Sequence, residues 1–180
     1  MTPFIPNAGY QVIILSDNAF LWLGLHSMIS AAVTPRPEMY WIDDVTPKGL
    51  LRLLERLLNT HVGQNWLVFT DAARVCDVNA CLRNARVRVV ADNLSLAQLS
   101  HSFSDTTFAF ANAATLSDQE MRVCMLLHKG FTPVRIAKIL KKSPKTIYTH
   151  KRNAMNKFCC RSMADFHRKL CLLDAWSFSL

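Results

Sequence analysis

The sequence predicts an α/β domain built on a parallel sheet, shortened at its far end, followed by an all-α module of four helices. Three observations predict it. In the first two-thirds, short β-branched apolar runs alternate with stretches of helical period, the order that gives parallel strands with helices on both faces. From Leu116 onward only helical patterning remains. The charge divides at the same place: residues 1–115 hold 8 Lys and Arg against 9 Asp and Glu, while residues 116–180 hold 13 against 4. The 180 residues are 51% apolar and 19% charged, enough apolar mass for packed cores rather than disorder. The whole formal excess of +8 therefore belongs to the last third, an asymmetry that points to a polyanion as partner.

The elements follow in order. QVIIL is a strand, SDN a turn and cap, and Ala19 to Ile29 a helix. After the Pro35–Pro37 break comes a second strand, MYWIDDV. Pro47 opens a helix over KGLLRLLERLLNTH with apolar positions at 50, 51, 54, 57 and 58. NWLVFTD is the third strand, Asp77 to Asn84 a weaker helix, VRVVA the fourth strand, and Leu94 to Phe103 a further helix. Residues 105–115 carry one charge and no helical period, and are taken as a linker with a residual strand at Phe108 to Phe110. The domain boundaries expected are thus 1–104, 105–115 and 116–180. Ligands of such sheets bind at the carboxyl ends of strands, where Asp17 and Asp71 lie.

The basic module is legible residue by residue. Ser117 with Glu120 three places on is a capping box. Gly130 suits the C′ position of that helix, and Pro133 opens the next. Ile136, Ala137 and Leu140 form the second helix's apolar face. The Lys141-Lys142 turn leads to Ser143 and to Pro144 at the start of the third helix. Two short helices joined this tightly form a helix-turn-helix. Projecting the third helix at about 100° per residue places Ile147, Ala154, Phe158 and His150 on the packed side. Lys145, Thr149, Arg152 and Asn156 fall opposite, flanked by Tyr148 and Asn153. Such a face fits the major groove, where Lys145, Tyr148, Thr149, Arg152 and Asn156 are the expected base readers. Lys138, Lys142, Ser143, Thr146 and Lys151, with Lys141 beside them, suit phosphates. The rival structural reading is a solvated helix in an ordinary three-helix module.

These residues carry a resemblance. Residues 116–166 resemble the LuxR-type helix-turn-helix of the NarL/FixJ family of bacterial regulators. The matching positions include Leu116, Glu120, Val123, Leu127, Gly130, Ile136, Ala137, Leu140, Ser143, Thr146, Ile147, His150 and Lys157. Within the family, GF…IAK.L..S.KTI…K..AM.K is most similar to the response regulator of the Rcs phosphorelay and its auxiliary partners. The resemblance implies base contacts from Tyr148, Thr149 and Arg152, and a fourth helix whose Met163, Phe166, His167 and Leu170 pair two copies on a two-fold DNA site. The family's Gly-Val after Lys-Leu is here Cys159-Cys160, so a left-handed helix end would lack its glycine. A redox-active vicinal pair is one reading of these two residues.

The amino-terminal domain resembles a receiver with its chemistry removed. Receivers end the first strand in an acidic pair that binds Mg²⁺; here it is Ser16-Asp17. Asp71 stands where the phosphoacceptor would be. The Pro that follows the acceptor is missing from DAARV, Ala91 replaces a Ser or Thr, and no lysine occurs between Lys48 and Lys129 to pair with a phosphoryl group. Two carboxylates hold Mg²⁺ weakly. Only 44 residues, 72–115, follow Asp71, too few for three helices of about 11 and two strands of about 5 with loops of about 4 residues. A strand-helix unit is expected to be lost or shortened, and Asp71 and Asp17 to be a vestigial phosphoacceptor and its neighbour.

Other classes are set aside. The six cysteines include no CxxC and follow no secretory signal, so free thiols are expected in a reducing cytoplasm. Val12 to Val33 is broken by Asn18, Ser16, Ser27, Ser30 and His26 and preceded by no basic residue, unlike a membrane span or signal peptide. No catalytic set, cofactor motif or metal cluster is present, so no enzyme activity, cofactor, metal or small-molecule substrate is expected. The expectation is a cytoplasmic, sequence-specific transcription regulator of double-stranded DNA. It would act independently of phosphorylation, as a homodimer or as auxiliary heterodimer partner of an Rcs-type response regulator. The alternatives are a phosphorylation-switched regulator using Asp71, or a protein-binding antagonist that leaves DNA untouched.

Overall fold

The structure is a computed structural model that describes residues 10–33, 36–58, 64–82, 86–95, 97–99 and 115–176. Four strands, β1 (Tyr10–Leu15), β2 (Met39–Ile42), β3 (Asn65–Thr70) and β4 (Arg86–Ala91), form one parallel sheet in the order β2-β1-β3-β4. The central strands β1 and β3, β-branched and aromatic runs, are buried along most of their length, while the edge strands β2 and β4 are buried at one and two positions. The connection after β1 steps to one side of it and the connection after β2 steps back across to the other. Right-handed crossovers therefore send α1 (Ala19–Ala32) and α2 (Pro47–Leu58) to opposite faces. Val12, Ile14, Leu67, Phe69 and Val90 pack with Leu25, Ile29 and Val33 on the α1 side. Ile13, Leu15 and Val68 point the other way, and α2 buries Leu50, Leu53 and Leu57. Trp22 of α1 stacks on Trp41 of β2 with ring centroids 5.7 Å apart.

β2 stops at Ile42, three residues short of the expected run through Val45. Asp44 is the cause: its Oδ1 accepts the Thr46 N–H at 2.9 Å and the Thr46 hydroxyl, a local turn that competes with the ladder. The helix expected over 94–103 and the linker at 105–115 lie mostly outside the described residues; residues 97–99 are helical.

The chain forms two compact units, Met1–Val75 with Asn84–Ala111, and Cys76–Arg83 with Asn112–Leu180. Helix α3 (Val75–Cys81) is thus assigned, from Cys76 on, to the helical unit rather than to the sheet. Its ties there are explicit. The Asp77 carboxylate meets Lys169 Nζ at 2.8 Å, and the Ala80 carbonyl accepts the Leu116 N–H at 3.0 Å. The expectation of free thiols is corrected as well: Cys76 and Cys159 form a disulfide, with Cα atoms 6.0 Å apart and a sequence separation of 83. No local pattern announces it, since the pairing exists only because α3 joins the helical unit. Among the described residues Cys81 and Cys124 are buried, Cys160 is half-buried and Cys171 exposed.

The helical unit continues with α4 (Asp118–His128), α5 (Pro133–Ile139), α6 (Pro144–Lys157), α7 (Met163–Leu170) and a 3-10 turn at Cys171–Trp176. Each of the four α-helices has a hydroxyl N-cap: Ser117, Thr132, Ser143 and Ser162. Three end alike. Gly130, Lys141 and Cys159 each adopt positive φ (81°, 51° and 51°), and each is bracketed by the two backbone bonds of a Schellman end: Gly130 N–H to Leu127 and Phe131 N–H to Leu126, Lys141 to Lys138 and Lys142 to Ala137, Cys159 to Asn156 and Cys160 to Met155. The helix end lacking its glycine is therefore built, with a cysteine held in the left-handed region.

Candidate nucleic-acid interface

The candidate interface is built on α6. Ser143 Oγ accepts the Thr146 N–H at 3.1 Å, and Pro144 at the first position needs no partner for a missing N–H, so the helix starts sharply after the turn at 140–143. Ile147, Ala154 and Phe158 are fully buried. They fix the rotation of the helix and turn its opposite side outward. Lys145, Tyr148, Thr149, Arg152 and Asn156 are all exposed on that side, and Tyr148 is 51% exposed. The helix contains no acid. Lys138 and Lys142 are exposed beside it, and Lys151 lies half-buried with its ammonium 5.4 Å from the Tyr148 ring centroid. Among the described residues no ion pair involves Lys138, Lys142, Lys145 or Arg152. A row of unpaired cations repels itself, and a polyanion relieves that repulsion.

Local hydrogen bonds narrow what the polar groups offer. The Thr149 hydroxyl donates to the Lys145 carbonyl at 3.1 Å, so it presents a lone pair and a methyl group outward rather than a proton. Ser143 Oγ and Thr146 Oγ1 lie 2.9 Å apart, one donating to the other, which leaves a single hydroxyl proton at this helix start for an incoming anion.

Residues 114–169 match the family described as bacterial regulatory proteins, luxR family. They form a LuxR-family helix-turn-helix domain. Similar solved structures include RcsB from Salmonella enterica serovar Typhimurium bound to promoter DNA (17% identity over 92% of this chain and 99% of that one, TM-score 0.42), two RcsB dimers bound to two parallel DNAs (17%, 92% and 99%, TM-score 0.41) and full-length FixJ from B. japonicum (16%, 96% and 98%, TM-score 0.34). No curated protein matches the chain.

In this LuxR-family domain α7 departs from the expected pairing helix. Met163 and His167 are exposed, but Phe166 and Leu170 are fully buried and are withdrawn from the pairing surface. Their spacing of four puts both on the inner face of the helix, where they belong to the domain's own core. A further element of the domain was visible in the sequence only as half of a capping box. Lys157 reaches from the end of α6 to Glu120 Oε2 and to the Thr115 carbonyl, 2.7 Å each. Burial pushes the Glu120 carboxyl up, but the Lys157 ammonium and the Ser117 N–H and hydroxyl outweigh it and hold it below its ordinary value.

The acids at the sheet's carboxyl edge are placed as expected but engaged differently. Leu15 is level with Thr70, so Ser16 and Asp71 leave neighbouring strands side by side. Asp71 Oδ2 is met by Arg74 Nε at 2.6 Å, and Arg74 Nη1 also donates to the Val45 carbonyl. The buried Ser16 hydroxyl accepts the Asn18 N–H, and the Ser16 carbonyl accepts from Trp41 Nε1 at 2.8 Å. The remaining carboxylate, Asp17, is exposed. One free carboxylate beside an arginine-capped one does not fit the octahedral oxygen set that Mg²⁺ requires. Arg74, missed in the sequence although only three residues from Asp71, supplies the cation at this corner. Incubation with acetyl phosphate and Mg²⁺ is therefore expected to leave Asp71 unmodified by intact-mass measurement. A stable acyl-phosphate there would contradict the reading.

Proposed function

We propose that this chain is a sequence-specific, DNA-binding transcription regulator without enzymatic activity, acting in the bacterial cytoplasm and independently of phosphorylation. The observation that carries the reading is the outward face of α6: exposed Lys145, Tyr148, Thr149, Arg152 and Asn156 on an acid-free helix, with Lys138 and Lys142, in no ion pair among the described residues, alongside. Arg152 and Asn156 read base edges, Thr149 contributes an acceptor and a methyl, and Tyr148 packs at the groove wall with Lys151. Lys138, Lys142 and the Ser143–Thr146 hydroxyl pair position the domain on phosphates. The sheet unit, with boundaries near 1–104 and a linker at 105–115, serves docking rather than phosphoryl chemistry. Pairing is with a second copy or with an Rcs-type response regulator, through the side of α7 that carries Met163 and His167.

Selection of bound genomic fragments followed by titration tests this. Arg152→Ala is expected to weaken the selected site by about 1–3 kcal/mol and to relax preference at one base position. Lys142→Ala should weaken all sequences alike and reduce the salt slope by about 1. If Arg152→Ala leaves binding and sequence preference intact, α6 is not the reader. A two-fold footprint from the protein alone indicates self-pairing; binding that requires an added response regulator indicates the mixed pair.

A further inference from the structure

We propose that Cys76 and Cys159 form a thiol–disulfide exchange site that takes a low-molecular-weight disulfide of the glutathione class and sets the DNA affinity of the helical unit. The proposal rests on the DNA-binding reading above.

Three observations carry it. The bond is reachable: Cys159 is exposed and Cys76 half-buried, unlike the inert, enclosed disulfides of a structural staple. Disulfides in compartments that hold DNA are kept reduced by thiol pools, so those that form there are transient and responsive. The bond also sits at the end of the reading helix. Cys159 is the left-handed C′ residue of α6, three positions after Asn156. An L-residue with a Cβ is disfavoured in that conformation; two backbone bonds hold Cys159 there as they hold Lys141, and the bond to α3 adds a covalent tie that Lys141 lacks. Finally, the vicinal thiol does not compete. Burial, with the Asp165 and Asp77 carboxylates against Lys169, pushes Cys160 up to about 11, so it stays protonated near neutral pH.

The exchange balances. The Cys159 thiolate attacks one sulfur of RSSR, forming a mixed disulfide and releasing RS⁻. The Cys76 thiolate then attacks the Cys159 sulfur, forming the Cys76–Cys159 bond and releasing the second RS⁻. Two protein thiols lose two electrons in total, RSSR gains them, and the two thiol protons leave with the two RSH formed. In the reverse direction the αL end of α6 loses its covalent hold, while the Lys169 ammonium still reaches the Phe158 carbonyl at 2.7 Å and Asp77 at 2.8 Å. Release is therefore local to the helix end, and the reading face stays uncovered in both states.

The full chain equilibrated in glutathione mixtures, with Cys76–Cys159 quantified by differential alkylation and peptide mass spectrometry, tests the exchange. Titration of a fluorescent duplex carrying the selected site tests the coupling. The oxidised chain is expected to bind about tenfold more tightly than the reduced chain, the factor that one disfavoured left-handed residue supplies. Cys76→Ser and Cys159→Ser should match the reduced chain under all conditions. Cys159→Gly should keep the oxidised affinity without the bond, since glycine accepts positive φ. Absence of exchange overturns the site. Exchange with equal affinity in both states, or Cys159→Gly binding like the serine variants, overturns the coupling. Exchange with no DNA bound by either form overturns the DNA-binding reading and the coupling together.

Discussion

Replacing Lys157 with methionine is expected to destabilise the helical unit by about 2–4 kcal/mol at pH 7, a little under the roughly 3–5 kcal/mol for removing one partner of a fully buried ion pair because Lys157 keeps some solvent contact. The pair is short and shielded: Nζ to Oε2 is 2.7 Å, with side-chain exposures of 21% for Lys157 and 6% for Glu120. Methionine keeps the aliphatic stem but leaves a buried carboxylate with only its Ser117 bonds, and it strips the Thr115 carbonyl of the Lys157 ammonium. The pH dependence has a definite sign. In the native chain the Glu120 carboxyl is held below its ordinary value, so it contributes stability that is fully present above the unfolded value of about 4.3 and lost as pH falls through the folded value. In the variant, burial acts without the cation and pushes the same group up. The deficit of the variant is therefore largest at neutral pH and shrinks as Glu120 protonates on acidification. Hydrogen exchange of α4 and α6 amides at two pH values reads this directly. A deficit that is constant with pH would mean the ammonium acts only by packing.

What the sequence made legible follows from the range of the forces involved. Helix starts were readable because a hydroxyl cap and its N–H lie within three residues, as at Ser117 and Ser143. The division of α6 into a packed and an exposed polar face was readable because 3.6-residue periodicity separates Ile147, Ala154 and Phe158 from Lys145, Thr149 and Arg152 without reference to anything distant. The parallel sheet needed only the alternation of strands and helices, whereas its order β2-β1-β3-β4 is set by pairings between strands distant in sequence. Where the reading failed, the deciding partner lay far along the chain or in local polar competition. Cys76 and Cys159 are 83 residues apart, and Lys157 finds Glu120 across 37. Phe166 and Leu170 were assigned to a pairing surface because an apolar helical stripe does not say whether it meets its own core or a second molecule. β2 ended early because Asp44 bonded to Thr46 rather than continuing the ladder. The acid corner is intermediate: its two carboxylates were found, but the arginine that occupies one of them was not, although its spacing of three from Asp71 is a local signal.

Phe158→Ala is expected to cost about 3–5 kcal/mol, the range for emptying a buried aromatic site that cannot fully collapse. Phe158 has no exposed surface and lies where α6 ends, its N–H donating to the Ala154 carbonyl at 2.9 Å and its carbonyl accepting from Lys169 at 2.7 Å. Those two bonds keep the backbone at 158 in place, so the surroundings cannot close over the vacancy by shifting the helix end. Domains have only about 5–15 kcal/mol in total, so this single truncation removes a large part of the helical unit's margin. The contrast with Tyr148→Ala makes the result diagnostic. Tyr148 is half-exposed on the flank of the same helix's outward face, and its truncation should cost less than about 1 kcal/mol of stability, as surface changes do, while weakening DNA binding. One helix then yields two variants with opposite profiles: lost stability with the reading face intact, and lost binding with the fold intact. Denaturant unfolding and duplex titration on both proteins measure the two quantities separately. If Phe158→Ala stays within about 1 kcal/mol of the parent, the packing that rotates the cationic face outward is not what this structure describes.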